Sequence, residues 1–347
     1  MPWSRASGGI PLAVDLGTAR TRVRGPRAGV LHDVATVIAV DARTRSVVAV
    51  GDQAARLLGR TPPDIEAVSP LSHGVVTEFD AAALLVRHAL GGGPRRTRVH
   101  RRTWLPPNVV AGVPASATGV QRRAAEEVLQ QAGARTVRIL PKGMLAALGT
   151  GLPVWDADGS MVVDIGAGTT EVAAFAFGTL VAANSTHTAG DAITSALSTH
   201  LQRVHLLALS TGAAEALKTG LARVAESAPG TRLPVRGRDR VTDLPKTVSV
   251  SAGELRDLAE PEIQRIARTV VSTIGNCPAG VADDIVERGL VLTGGGALFE
   301  GLPERLGRTT GLSVHVADSP RTAVLDGAAR WMTDVAPAAR QQMLSPL

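Results

Sequence analysis

Apolar positions along the chain form short continuous runs, and these alternate with stretches in which apolar residues recur at helical spacing. "IPLAVDLGTARTRVRG" predicts a strand, a Gly-Thr turn and a second strand, and "SVVAVG" (46–51) predicts another strand. "DQAARLLGRTP" predicts a helix as far as Pro62, and "EFDAAALLVRHAL" (78–90) an amphipathic helix. A buried strand, "NVVAGVPA" (108–115), leads to the helix "SATGVQRRAAEEVLQQAGA", with Ser116 or Thr118 as its cap and Gly133 near its stop. The strand "TVRILP" then opens into the helix "KGMLAALGTG". The second half repeats the pattern. A strand–turn–strand unit covers 161–182, helices cover 190–206 and 211–226, and a β-rich insert covers 232–251. Two helices follow within 252–275, and a strand opens "GLVLTGGGALFEGLPERLG".

Alternating strands and helices place the chain in the α/β class, with mostly buried sheets. Both halves open on Asp-(Leu/Ile)-Gly with threonine close by, an internal duplication spaced about 150 residues apart, too long for a solenoid repeat. Two similar domains facing each other would set the two hairpins across one cleft.

The chemistry of those hairpins is unusual for so apolar a setting. The stretch from Met161 to Thr186 carries Asp164, Gly166, Gly168, Thr169, Thr170 and Glu171. Gly17, Gly166 and Gly168 let the backbone approach a ligand closely. Thr18, Thr169 and Thr170 add hydroxyls beside exposed N–H groups, a combination that cradles phosphate oxygens. Asp15 and Asp164 end apolar strands, where an unpaired carboxylate is costly, and a magnesium ion with its waters would neutralise them. "TGGGAL" (293–298) adds a Gly-rich turn between a buried strand and a helix, suited to a nucleotide lying against backbone.

Composition narrows the picture only a little. The chain has 347 residues, 44% hydrophobic and 20% charged, room for two ordinary domains with a large core. No run of about 18 uncharged apolar residues exists, so no membrane span is expected, and the start lacks a signal-peptide core. A single cysteine, Cys277, allows no internal disulfide and suits a reducing cytoplasm. The net charge of +6 is almost all arginine, since lysine occurs only at Lys142, Lys218 and Lys246. That bias fits a GC-rich genome. The eight histidines show no metal-type spacing, so His200 and His205 read as surface residues on a helix. With 2% aromatic residues and no binding motif, no nucleic-acid role is expected.

The order "DLGTART", "DIGAGTTE", "TGGGAL" resembles the actin, sugar-kinase and DnaK-type chaperone superfamily. Within it the chain is similar almost end to end to the MreB/Mbl family of bacterial actins. The matching phrases are "AVGDQAARLLGRTP", "GVPASATGVQRRAAEE", "GTGLPV", "GRDRVTDLPKTVSV" and "ADDIVERGLVLTGGGALFEGLPERLG". The resemblance implies an actin-like ATPase fold of two duplicated α/β domains, with four subdomains, around a nucleotide cleft. Domain I would cover 1–150 and domain II 151–318, with 319–347 returning to domain I. It implies ATP and magnesium as cofactors, filaments of the chain with itself under an anionic membrane, and partners in the cell-wall synthesis and elongation machinery. The location would be cytoplasmic, at the inner face of the cell membrane.

Carried over by residue, Asp15, Gly17 and Thr18 resemble the first phosphate loop. Asp164, Gly166, Gly168 and Thr169 resemble the second, with Asp164 also catalytic. Asp15 and Asp164 would hold magnesium largely through water. Glu215 and Lys218 resemble the helix flanking adenosine, and Gly294, Gly295 and Gly296 the adenine-side loop. Three departures stand out. Arg20 replaces the usual Asn, "TGLA" after Lys218 replaces "IEIG", and "PKGMLAA" replaces "EEPMAAA". Lys142 thus stands where the family has the Glu thought to polarise the attacking water, and Gly143 stands in place of Pro. These touch catalysis more than binding, and imply a divergent paralogue with weak hydrolysis, serving a specialised morphogenetic step.

The basic loop 95–107 holds Arg95, Arg96, Arg98, Arg101 and Arg102 before Trp104 and Leu105. The matching family loop carries an apolar pair that enters lipid, so Trp104 and Leu105 are expected to contact the membrane. Two alternatives belong to the same superfamily. A sugar kinase needs a catalytic Asp and a sugar pocket, for which there is no signature. A chaperone-type ATPase needs a peptide-binding domain after the ATPase module, and none is read before Leu347.

Overall fold

The computed structural model describes residues 9–59, 61–92, 106–224, 228 and 230–344. The first half runs through β1 (Pro11–Leu16), β2 (Arg20–Arg24), β3 (Val30–Ala35), β4 (Ile38–Asp41), β5 (Val47–Val50), α1 (Asp52–Ala55) and β6 (Ile65–Val68). It continues through β7 (Leu71–Ser72), β8 (Val75–Val76), α2 (Phe79–Arg87), β9 (Asn108–Val113), α3 (Gly119–Gln131), β10 (Thr136–Pro141) and α4 (Lys142–Thr150). The second half opens with β11 (Ser160–Ile165), β12 (Thr170–Ala176), β13 (Thr179–Thr186), α5 (Gly190–Val204), β14 (Leu207–Ala208) and α6 (Thr211–Leu221). Then come β15 (Arg232–Asp239), β16 (Pro245–Ser251), α7 (Ala252–Asp257), α8 (Glu260–Gly275), α9 (Ala279–Arg288), β17 (Leu290–Thr293), α10 (Leu302–Thr310), β18 (Val314–Val316), α11 (Ala323–Thr333) and α12 (Pro337–Leu344).

Two five-stranded sheets carry the duplication. Their orders are β10-β9-β1-β2-β3 and β13-β12-β11-β17-β18. In each, the lead strand (β1 or β11) pairs antiparallel with the strand of its hairpin and parallel with a much later strand, β9 or β17. The lead strands are buried because both faces are covered, which is why they read as unbroken apolar runs. On β1, Leu12 and Val14 face one core with Val86 and Val128, while Ala13 faces another. That second core lies between the sheets. Ala13, Val110 and Leu140 of the first meet Val162, Ala173 and Phe175 of the second around α4 and α11. Each large side chain fully buried there contributes about 2–3 kcal/mol.

Helices α4 and α11 cross where both carry glycine. A Cβ on Gly149 would collide with the Ala323 carbonyl oxygen, and one on Gly327 with that of Leu145. Helix α3 has the expected Thr118 cap in a reciprocal box with Gln121. The helix expected to reach Pro62 stops instead at Ala55. Beyond it, Leu57 and Leu58 donate to the residues three back, and both leucines pack on the small β5-β4-β6 sheet.

Candidate functional site

The two hairpin turns are built alike. Gly17 N–H donates to the Arg20 carbonyl at 3.1 Å, and Gly166 N–H to the Thr169 carbonyl at 2.8 Å. Each glycine carbonyl is then tied down, that of Gly17 by the Thr36 hydroxyl at 2.7 Å and that of Gly166 by Gly190 N–H at 3.1 Å. Gly17 is required by its turn, because a Cβ there would lie 2.5 Å from the Arg20 carbonyl oxygen. The turns meet across the cleft through the β7–β8 loop. Thr18 Oγ1 accepts from Gly74 N–H at 2.9 Å, and His73 Nδ1 lies 3.0 Å from the Gly168 carbonyl oxygen. His73 also stacks on His187, with ring centroids 4.3 Å apart.

Between the turns lies a cavity of about 550 Å³. Its lining brings together Asp15, Gly17, Thr18, Lys142, Asp164, Gly166, Gly168, Thr169, Glu215, Lys218, Gly294, Gly295 and Gly296. Thr170, also expected to offer its hydroxyl to phosphate, does not line it: the side chain is fully buried and donates to the Thr188 carbonyl at 2.8 Å.

The cavity floor is charged and its side chains are buried. Lys142 opens α4 and is only 6% exposed. Its Nζ lies 3.4 Å from Asp15 Oδ1 and donates to the Leu16 carbonyl at 3.2 Å. Gly112 makes room for it, since a Cβ there would stand 3.0 Å from Lys142 Cγ. Gly143 is needed too, because a Cβ would come within 2.7 Å of Ala173 Cβ. Arg22 approaches Asp15 from the other side at 3.5 Å. Burial pushes the Asp164 carboxyl up to about 7; the Lys142 charge opposes the rise and the Asp15 and Glu171 charges add to it. Glu171 is itself pushed up by burial, although its carboxylate accepts from Ala115 N–H at 2.9 Å and the Ser185 hydroxyl at 2.6 Å.

At the other end of the cavity, Lys218 Nζ pairs with Glu215 at 2.8 Å and donates to the Gly190 carbonyl at 3.1 Å. The glycine run 294–296 packs closely on the second turn. Gly294 has φ +84°, and a Cβ there would lie 2.6 Å from Asp164 Oδ1. Arg20 lines the cavity but spends its guanidinium on Asp33 and Asp52.

Residues that sequence reasoning passed over include Arg22, His73 and Asp191. Asp191 is pushed up by burial, with Lys218 opposing. The strand register of Arg22, two residues after Arg20, was the available signal. One reading is corrected. His200 and His205 are half-buried, and both meet Glu254, a partner remote in sequence. Trp104, Leu105 and most of the 95–107 loop lie outside the described residues. None of the described helices is long and apolar enough to cross a membrane.

A cradle for a phosphorylated ligand fits these observations. Two glycine–threonine turns face the cavity, cationic Lys142 stands on its floor, and the buried Asp15 Oδ1 accepts no hydrogen bond. Asp15 and Asp164 are the carboxylates that could hold a divalent ion there.

Known proteins are similar to this chain over most of its length. A family model described as MreB/Mbl protein matches residues 10–340. The cell shape-determining protein MreB of Escherichia coli is 35% identical over 322 residues, covering 91% of each chain. The cell shape-determining protein Mbl of Bacillus subtilis is 30% identical over 316 residues, covering 91% of this chain and 93% of that protein. Among solved structures, MreB 5 of Spiroplasma citri bound to AMPPNP has a TM-score of 0.85 at 27% identity, covering 93% of this chain and 96% of that one. A MamK double helical filament gives a TM-score of 0.76 at 20% identity over 94% of this chain and 99% of that one, a likeness of fold.

Proposed function

The chain belongs to the MreB/Mbl family, and on that premise we propose that it is an ATP-binding, actin-like protein that acts in determining cell shape. The observation that carries the reading is the single cavity lined by both glycine–threonine turns, Lys142, the Glu215–Lys218 pair and the 294–296 glycines. Phosphates would lie against Gly17, Thr18, Gly166, Gly168 and Thr169, and adenosine between Glu215, Lys218 and the glycine run. Magnesium, held by Asp15 and Asp164 largely through water, would neutralise phosphate charge when bound.

The chain's own residues would bind nucleotide more readily than they promote its hydrolysis. Lys142 occupies the position where the family has its water-polarising Glu, and an ammonium has three donors and no acceptor. It adds positive charge beside the phosphates but cannot accept a hydrogen bond from an attacking water. Nucleotide is then held well and turned over slowly, by on the order of 10²-fold or more. Labelled-nucleotide binding and phosphate release, measured on the wild type and on Lys142→Glu, test both parts. The expected result is binding in the wild type with slow release, and faster release in the variant. Failure to bind ATP would overturn the site, and brisk wild-type turnover would overturn the role of Lys142.

Filament assembly with itself, contact with an anionic membrane through Trp104 and Leu105, and service to the cell-wall synthesis machinery complete the reading and rest on the family resemblance. They place the protein in the cytoplasm at the inner face of the membrane. Sedimentation with ATP and liposomes, followed by electron microscopy, checks assembly. A chain that stays monomeric under those conditions contradicts it.

A further inference from the structure

Outside the cavity lining, three side chains from two segments converge. His200 is in α5, His205 directly follows it, and Glu254 is in the first turn of α7. The Nε2 atoms of His200 and His205 lie 2.7 Å and 2.9 Å from the same oxygen, Glu254 Oε1. One potential ligand atom from each residue falls within 4.8 Å of the others. The side chains are 21%, 24% and 35% exposed, so a small ion could reach them from solvent.

The surrounding structure holds each of them in place. After His205 the chain turns through Leu206 at φ +52°, a left-handed conformation unusual for leucine. The His205 carbonyl accepts from Lys246 Nζ at 3.4 Å, and Lys246 is itself anchored to Asp239 at 2.9 Å. Glu254 is fixed by its own helix cap, with its N–H donating to the Ser251 hydroxyl at 3.2 Å.

We propose that His200, His205 and Glu254 form a binding site for a divalent transition-metal ion of the zinc class, with two imidazole Nε2 atoms and one carboxylate oxygen as ligands and water completing the shell. Two imidazoles and a carboxylate match zinc chemistry and do not match magnesium or calcium, which favour oxygen. Tetrahedral ligation at about 2.0–2.2 Å needs each of the two imidazole–carboxylate spacings to widen by about half an ångström. Each imidazole would ligate through Nε2 and keep its proton on Nδ1.

The position gives the site a role. The chain enters the β14-β15-β16 sheet just after His205 and leaves it just before Glu254. A bound ion would therefore fasten the base of that sheet, independently of the nucleotide.

The test uses the full, untagged chain titrated with zinc chloride by calorimetry, and with cobalt(II) followed by visible absorption. One equivalent should bind with micromolar affinity, cobalt should show the intense bands of a tetrahedral N,N,O site, and millimolar magnesium should not compete. His205→Ala and Glu254→Gln should each weaken it at least tenfold, while His315→Asn and Cys277→Ser leave it unchanged. Absence of saturable zinc and cobalt binding to the wild type would overturn the site, which needs no variant to fold. So would affinity that survives both His205→Ala and Glu254→Gln.

Discussion

Asp15 stands across its hairpin from Arg22, and Asp164 stands across its hairpin from Glu171. The turns, their tied glycine carbonyls and their place in a five-stranded sheet correspond, yet one aspartate faces a cation and the other a second carboxylate. The Asp15–Arg22 pair is thus close to neutral by itself, with Lys142 added. The second carries two buried acids, and Asp164 rises to about 7. A duplicated backbone has been given unequal electrostatics.

The harshest way to break the comparison is to remove the shared cation. Lys142→Met leaves Asp15 with Arg22 alone and Asp164 without its nearest opposing charge, so stability should fall by about 3–5 kcal/mol in chemical denaturation. Asp164→Asn sharpens it from the other side. Unfolded, this carboxyl titrates near 3.8, and folded near 7, so between those values the folded state binds more protons. Its stabilising contribution is full below about pH 4 and lost as the pH rises to about 7. Without nucleotide or divalent ions, the wild type should lose about 2 kcal/mol relative to Asp164→Asn between pH 5 and 8. Denaturation curves at both pH values check this, and an unchanged difference would remove the asymmetry.

Smaller effects separate the turns themselves. A Cβ at Gly17 would sit 2.5 Å from the Arg20 carbonyl oxygen, against 3.2 Å to that of Thr169 for Gly166. Gly17→Ala should cost about 1–3 kcal/mol and Gly166→Ala less than about 1, read as shifts in denaturation midpoint. The smallest change belongs to Arg20→Asn. Its partners Asp33 and Asp52 are solvent-exposed, so its loss should cost under about 1 kcal/mol.

The sequence made the two hairpins legible because glycine, threonine and aspartate cluster there for a shared local reason, and local chemistry reads without long-range contacts. The sheet duplication followed from the same runs. What the chain order hid depends on residues far apart. The pairing of Lys142 with Asp15 depends on its reach from the start of α4 to the end of β1, where it also donates to the Leu16 carbonyl. The early end of α1 reflects Leu57 and Leu58 folding onto a small sheet, which overrides a helical pattern. Helix α11 went unread because its buried, glycine-bearing face makes sense only against Gly149. The meeting of His200 and His205 with Glu254 was likewise invisible, since no local spacing encodes it.

The glycine crossing has a mechanical meaning. With no side chain between the backbones of α4 and α11, the point where Gly149 meets Gly327 is a rivet rather than a cushion. From it, α4 runs about 10 Å back to Lys142 on the cavity floor, and α11 runs one turn back to Val324 in the cavity wall. Both levers are short and stiff, and each begins at the cavity. A small displacement of either helix there would therefore reach the joint between the two sheets with little lost on the way.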